Sequence, residues 1–128
     1  MNMNIDRDSK SILTLKSIYL DGFKFNRLGS QRNEAELNIN FSAKDSYNKN
    51  TKELIIHLMA DLKCDEMFDL NVKIVGIFGI LEEESKRLKP NAIAIIFPYL
   101  RSQISLLTTQ PNMLPVVLPA MNINNLFK

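Results

Sequence analysis

The sequence predicts an α+β fold, a four-stranded antiparallel sheet followed by a long helix and a short C-terminal helical segment, and three observations predict it. Apolar residues alternate with polar ones on period two in successive segments between Ile12 and Ile80. The loops between these segments are too short for parallel crossovers, which need a dozen or more residues. After Pro90 the apolar period becomes helical, and strands followed by a helix rather than strands alternating with helices is the α+β pattern.

Each element has its own signature. From Ile12 to Phe25 the apolar residues Leu13, Leu15, Ile18, Leu20, Phe23 and Phe25 alternate with polar ones, but the phase slips near Ser17 and Gly22, which predicts a bent or bulged strand. After the turn-prone Gly29, Ser30 and Asn33, Ala35, Leu37, Ile39 and Phe41 alternate strictly with Glu36, Asn38, Asn40 and Ser42, the pattern of a half-buried strand. The polar cluster Asp45 to Thr51 is read as a loop. Leu54, Ile56, Leu58, Ala60 and Leu62 mark a third strand, and Phe68, Leu70, Val72 and Ile74 a fourth that runs into Gly76 to Ile80. The short connections favour a meander. Ile93, Ile96, Phe97, Leu100, Ile104 and Leu107 then fall on one helical face, with Pro98 best tolerated near the first turns. Pro111 and Asn112 stop the helix, Pro115 and Pro119 bracket an extended Leu114 to Leu118, and Asn122 can cap a short final helix to Phe127.

A chain of 128 residues with 45% apolar residues suits a single domain over 1–128, the first 11 or so residues forming a flexible N-terminus. Neither a signal peptide nor a membrane-length apolar run is present, which points to the cytoplasm, and one cysteine, Cys64, fits a reducing compartment. Net charge is +2 with the signs interleaved, so nucleic acid is a poor partner. The block Glu82 to Glu84 followed by Lys86, Arg87 and Lys89 reads as a solvated face or turn.

Catalytic chemistry finds no support in the residues. His57 is the sole histidine, so a metal site lacks a second imidazole, and its odd separation from Cys64 puts the two on opposite faces of a straight strand. Glu34, Glu36, Asp61 and Asp69 occupy the polar positions of amphipathic strands rather than an acid/base pair. Lacking a phosphate loop or nucleophile elbow, the chain is expected to be no enzyme and to bind no cofactor. Phe23, Phe25, Phe41, Phe68, Phe78, Phe97, Tyr99 and Phe127 are core residues by default.

The run from Lys89 to Phe127 nonetheless resembles a known family. It carries a Phe-Pro-Tyr-x-Arg element at Phe97, Pro98, Tyr99 and Arg101, then a long helix, a turn and a Leu-rich extended stretch. Upstream, Gly76, Ile77, Phe78, Gly79 and Ile80 match a Gly-Ile-Phe-x-Ile element, and Ile18, Tyr19 and Phe25 a first-strand element. In order and spacing these are similar to the SecB family over about residues 12–127. The resemblance implies a dimer of dimers with the long helices between the dimers, and an ATP-independent holding function toward unfolded polypeptides, in many members for protein export through the SecA motor. It also implies client-groove positions at Leu37, Ile39, Phe41, Phe68, Ile123 and Phe127.

Positions matching the family's acidic SecA-docking surface are Gly22, Asn26 and Asn71, none of them charged, which argues against SecA coupling. The first interstrand loop is short and lacks tryptophan, and an acidic tail is absent. These departures suit a SecB-like chaperone with a dedicated client, such as one serving a toxin–antitoxin pair. An oligomeric scaffold without a working groove is the reading from another class, and it would bind no unfolded chain.

Overall fold

A computed structural model describes residues 12–29, 36–119 and 121. Its elements are β1 (Thr14–Arg27), β2 (Leu37–Asn48), β3 (Glu53–Cys64), β4 (Phe68–Gly79) and α1 (Glu82–Leu107). The strands form one antiparallel sheet in the order β1-β4-β3-β2. The expected N-terminal flexibility and the helix from Asn122 to Phe127 fall outside the described residues.

β3 and β4 show why period two produces this sheet. Leu54, Ile56, Leu58, Ala60 and Leu62 of β3 and Phe68, Leu70, Val72, Ile74 and Phe78 of β4 are all buried on one face, where α1 lies. Each fully buried aliphatic or aromatic side chain contributes about 1.5–3 kcal/mol relative to exposure. A one-residue register slip would turn the whole set to solvent, so the pairing is strongly specified. The β2–β3 turn is closed by Asn48, whose Oδ1 accepts from the backbone N–H groups of Asn50 (2.9 Å) and Thr51 (3.2 Å), while Lys52 takes φ 56°.

The structure departs from the sequence reading in three places. The meander holds for β2, β3 and β4, but β1 pairs with β4 rather than β2, so the first connection crosses to the opposite sheet edge. This places the two most apolar strands in the centre. Asp45 to Asn48 belong to β2 and not to a loop, because Tyr47 turns inward opposite Leu54 and donates its hydroxyl to the Ile80 carbonyl at 2.6 Å. Burial pushes the Tyr47 phenol above its ordinary value, with Glu82 and Glu83 adding to the shift. The helix begins at Glu82, a full two turns before Pro90, so both Pro90 and Pro98 lie inside it. Both prolines are exposed, as are Lys86 and Ala94, whose carbonyls lose a helical donor and face water instead. Glu82, Glu83 and Glu84 occupy the first turn, where carboxylates complement the helix dipole, and Glu84 also pairs with Arg87.

The phase slips in the first strand are β-bulges. Register shifts fall between Leu15 and Ser17 and between Leu20 and Gly22. At the other end of α1, Thr108 is fully buried and its hydroxyl donates to the Ile104 carbonyl at 2.8 Å while accepting from the Val116 N–H at 2.8 Å. Ser105 Oγ donates to the Val116 carbonyl at 2.9 Å. The segment beyond the helix therefore folds back along it as a strap, and Arg27 at the end of β1 holds its turn by donating to the carbonyls of Pro111 (2.8 Å) and Asn112 (3.0 Å).

Two substitutions test this packing. An added Cβ at Gly76 would lie 2.8 Å from Ile96 Cγ2 and 3.2 Å from Phe78 Cε1, with both side chains fully buried. Gly76→Ala is expected to lower stability in urea unfolding by about 1–3 kcal/mol, whereas Gly22→Ala, which meets nothing within 4 Å, should leave the midpoint unchanged or slightly raised. Thr108→Val preserves shape but leaves the Val116 N–H without its acceptor. A loss of about 1–3 kcal/mol and faster proteolysis between Gln110 and Leu118 are the expected results.

Candidate polypeptide-binding surface

A single helix cannot cover this sheet. An α-helix with side chains is roughly 10–12 Å across, and four strands spaced about 4.8 Å apart span more than that. α1 packs on β3 and β4, the two central strands. The apolar inner positions of the edge strands are consequently only partly covered.

On the β2 side, Leu37, Ile39, Phe41 and Ala43 are half-buried and rest against the core. Phe41 meets Phe97 of α1 edge to face, centroids 5.4 Å apart. Phe97, Arg101, Ser105 and Thr108 share a side of the helix by i,i+4 and i,i+7 spacing. Ser105 and Thr108 bind the strap, whose Met113, Val116, Leu118 and Met121 pack on the core and whose turn is held from β1 by Arg27. Leu114 (66%) and Val117 (78%) face solvent from it.

The β1 side carries a second apolar surface. The bulges re-phase the strand so that Leu20 stays opposite Ile74 and Phe23 opposite Val72, both on the inner face, yet Phe23 remains 53% exposed. Leu15 and Leu20 are also exposed. On α1, Ile95, Tyr99 and Leu106 form a stripe at i, i+4 and i+11, and all are exposed. The free edge of β1 lies beside this surface, since β1 has one hydrogen-bonded neighbour.

The structure separates the residues singled out in the sequence into accessible and buried sets. Leu37, Ile39 and Phe41 line one accessible edge. Phe68 is 2% exposed and stacks on Phe25 at 5.8 Å, so it is buried rather than presented at the surface. Gly76, Phe78 and Phe97 are buried where the helix meets the sheet, whereas Pro98 and Tyr99 are exposed and Ile77 lies half-buried on the outer face. Arg101 Nε is buried with no hydrogen-bond partner among the described residues. Ile123 and Phe127 lie outside the described residues. His57 is exposed on the outer face and Cys64 buried on the inner one, so they do not meet. The sequence reading placed Leu15 and Leu20 in the first strand without marking them as surface residues, and it did not single out Leu106 or the Arg27 clamp.

Among the described residues no helix is long and apolar enough to cross a membrane. No cluster of His, Cys, Asp and Glu there could hold a metal ion.

Comparison with known proteins agrees with this architecture. A SecB-like chaperone of Mycobacterium tuberculosis, Rv1957, solved with a ChAD peptide from the HigA1 antitoxin, superposes with a TM-score of 0.74 at 13% identity, covering 86% of this chain and 90% of that one. A Streptococcus agalactiae protein of unknown function superposes with a TM-score of 0.50 at 10% identity over 86% of this chain and 98% of its own. In sequence, an uncharacterized protein of Methanocaldococcus jannaschii is 32% identical over 111 residues, 79% of this chain and 72% of its relative. A family profile described as preprotein translocase subunit SecB matches residues 8–128. With nearly its whole length matched by that profile, and with its strands and helix in the same arrangement as a SecB-like chaperone, the chain belongs to the SecB family.

Proposed function

We propose that the protein is an ATP-independent holding chaperone that binds unfolded polypeptides in apolar grooves along the edges of its half-covered sheet. The observation that carries this reading is the coexistence of an ordered, fully buried core on β3, β4 and α1 with accessible apolar rows on β1, β2 and the flank of α1. An unfolded client presents apolar side chains, each of which gains about 1.5–3 kcal/mol on full burial. Several such sites on one assembly sum to tight binding without nucleotide hydrolysis. Selection is for exposed apolar side chains, and a client that folds quickly hides them. Nothing in this mechanism requires a catalytic group, and cytoplasmic residence suits it.

Within this function we favour a dedicated client over general export. The positions expected to meet SecA, Gly22, Asn26 and Asn71, carry no charge. The M. tuberculosis protein of similar fold was captured with an antitoxin peptide, which supports a client of that kind here. The homo-oligomer is read as a dimer of dimers with the helices inside it. The exposed apolar stripe of Ile95, Tyr99 and Leu106 supports a contact between copies.

Near-stoichiometric protein is expected to suppress aggregation of guanidine-denatured citrate synthase without ATP. Ile39→Thr keeps the β-branched shape and adds a hydroxyl to the β2 row; it should weaken that suppression about three- to tenfold with little change in far-UV circular dichroism. Equal suppression by the variant would remove β2 from the groove, and no suppression by the parent chain would favour a chaperone restricted to its dedicated client, or the scaffold reading. Light scattering should show an oligomer, and Tyr99→Glu, placing a charge on an exposed apolar stripe, should shift it to smaller species while leaving the protomer folded.

A further inference from the structure

The sheet face turned away from α1 has a chemistry of its own. The ladder register places it residue by residue: one row runs Tyr19, Val75, His57, Lys44 across the four strands, and Lys73 stands in the adjacent row between Gly22 and Met59. Among the described residues no element packs over this face, yet Val75 is only 1% exposed and lies outside the main core cluster. Its neighbours in that row are Tyr19 (46% exposed) and His57. Half-buried Ile55, Met59 and Ile77 adjoin it, so the centre of the face is a shallow apolar patch.

Cations surround that patch. Lys24, Lys44 and Lys73 are exposed and form no ion pair among the described residues, whereas Lys16 is tied to Glu53 at 3.2 Å and Lys63 stands directly opposite Asp69. Strand spacing of about 4.8 Å and an i,i+2 rise of about 6.8 Å put Lys73 roughly 8 Å from Lys24 and roughly 12 Å from Lys44. Their flexible stems bring all three ammonium groups within reach of one ligand seated on the patch.

We propose that this outer face docks an acidic polypeptide segment carrying an aromatic or aliphatic side chain, held between Lys24, Lys44 and Lys73 over Tyr19 and the half-buried Met59. Charge complementarity selects this occupant. A nucleic-acid backbone needs a continuous cationic track, and Asp61, diagonal to Lys73, and Asp69 interrupt it. An anionic bilayer also attracts lysines near its surface, but the flat face offers no apolar wedge for insertion. The surface lies on the opposite side of the sheet from the proposed client groove, so its occupancy does not depend on holding activity.

The test uses the full chain and a short fluorescein-labelled Asp/Glu peptide with one central Phe, against its Asn/Gln counterpart, phosphatidylserine-containing vesicles and duplex DNA. Salt-sensitive binding of the acidic peptide, at least about tenfold weaker in Lys44→Glu/Lys73→Glu, is expected. Aggregation suppression and the urea midpoint should not move with that variant. Because His57 is the only histidine, its ring protons give an unambiguous NMR signal that should shift on titration. Failure of the acidic peptide to bind, binding indifferent to both lysines, or a silent His57 signal would overturn the proposal. Binding of vesicles or DNA in place of the peptide would overturn it too. Should the charge reversal impair folding, Lys44→Gln/Lys73→Gln and the salt dependence of the unmodified chain decide the same question.

Discussion

The seating of α1 on β4 through Gly76 is the contact on which the rest of the structure depends. With no side chain at that position, Ile96 enters the space a Cβ would fill, and the helix lies close against the two central strands. Burial of Ile93, Ile96, Phe97, Leu100 and Ile104 on β3 and β4 follows from this approach. A helix so placed completes one core and cannot complete another. The inner faces of β1 and β2 remain half-covered, and the strap held by Ser105, Thr108 and Arg27 covers only part of the deficit.

This geometry gives a physical reason for the proposed binding role. Apolar surface left exposed on a monomer marks an interaction site or an aggregation liability. Here the surface divides into two flanks with different characters. On the β2 flank Phe41 is ordered by its contact with Phe97, whereas on the β1 flank an open strand edge accompanies the exposed helix stripe. Under the proposed function these surfaces serve capture of extended chain and contact with a second copy. A small domain can serve both uses because the core, which sets stability, takes part in neither.

Much of this was legible in the sequence, for reasons that differ by element. The inner positions of β3 and β4 are apolar throughout because α1 seals that face, so pattern and structure coincide there, while Ile55, Met59, Val75 and Ile77 make the outer face mixed. Leu37, Ile39 and Phe41 could be placed on one face of a strand by the same alternation, but their half-exposure could not, since it follows from the width of the helix above them. Phe68 has the same pattern as Phe41 and is buried, because β4 is central and Phe25 stacks on it. The strand order was hidden because short loops suggest that neighbours in sequence pair, while β1 crosses to β4. Pro90 concealed the true helix start, because a proline inside a helical pattern reads as its boundary. The contact of Arg27 with Pro111 and Asn112 joins residues 84 and 85 positions apart and leaves no local signal.

Calorimetric titration of the protein with reduced, carboxymethylated α-lactalbumin, which cannot fold, at several temperatures and without nucleotide tests the central claim most directly. Saturable binding with a negative heat-capacity change, absent for the native disulfide-bonded form, is the expected result, because burial of apolar surface carries that signature. Equal behaviour toward the folded and unfolded forms, or binding with no heat-capacity change, would contradict the account.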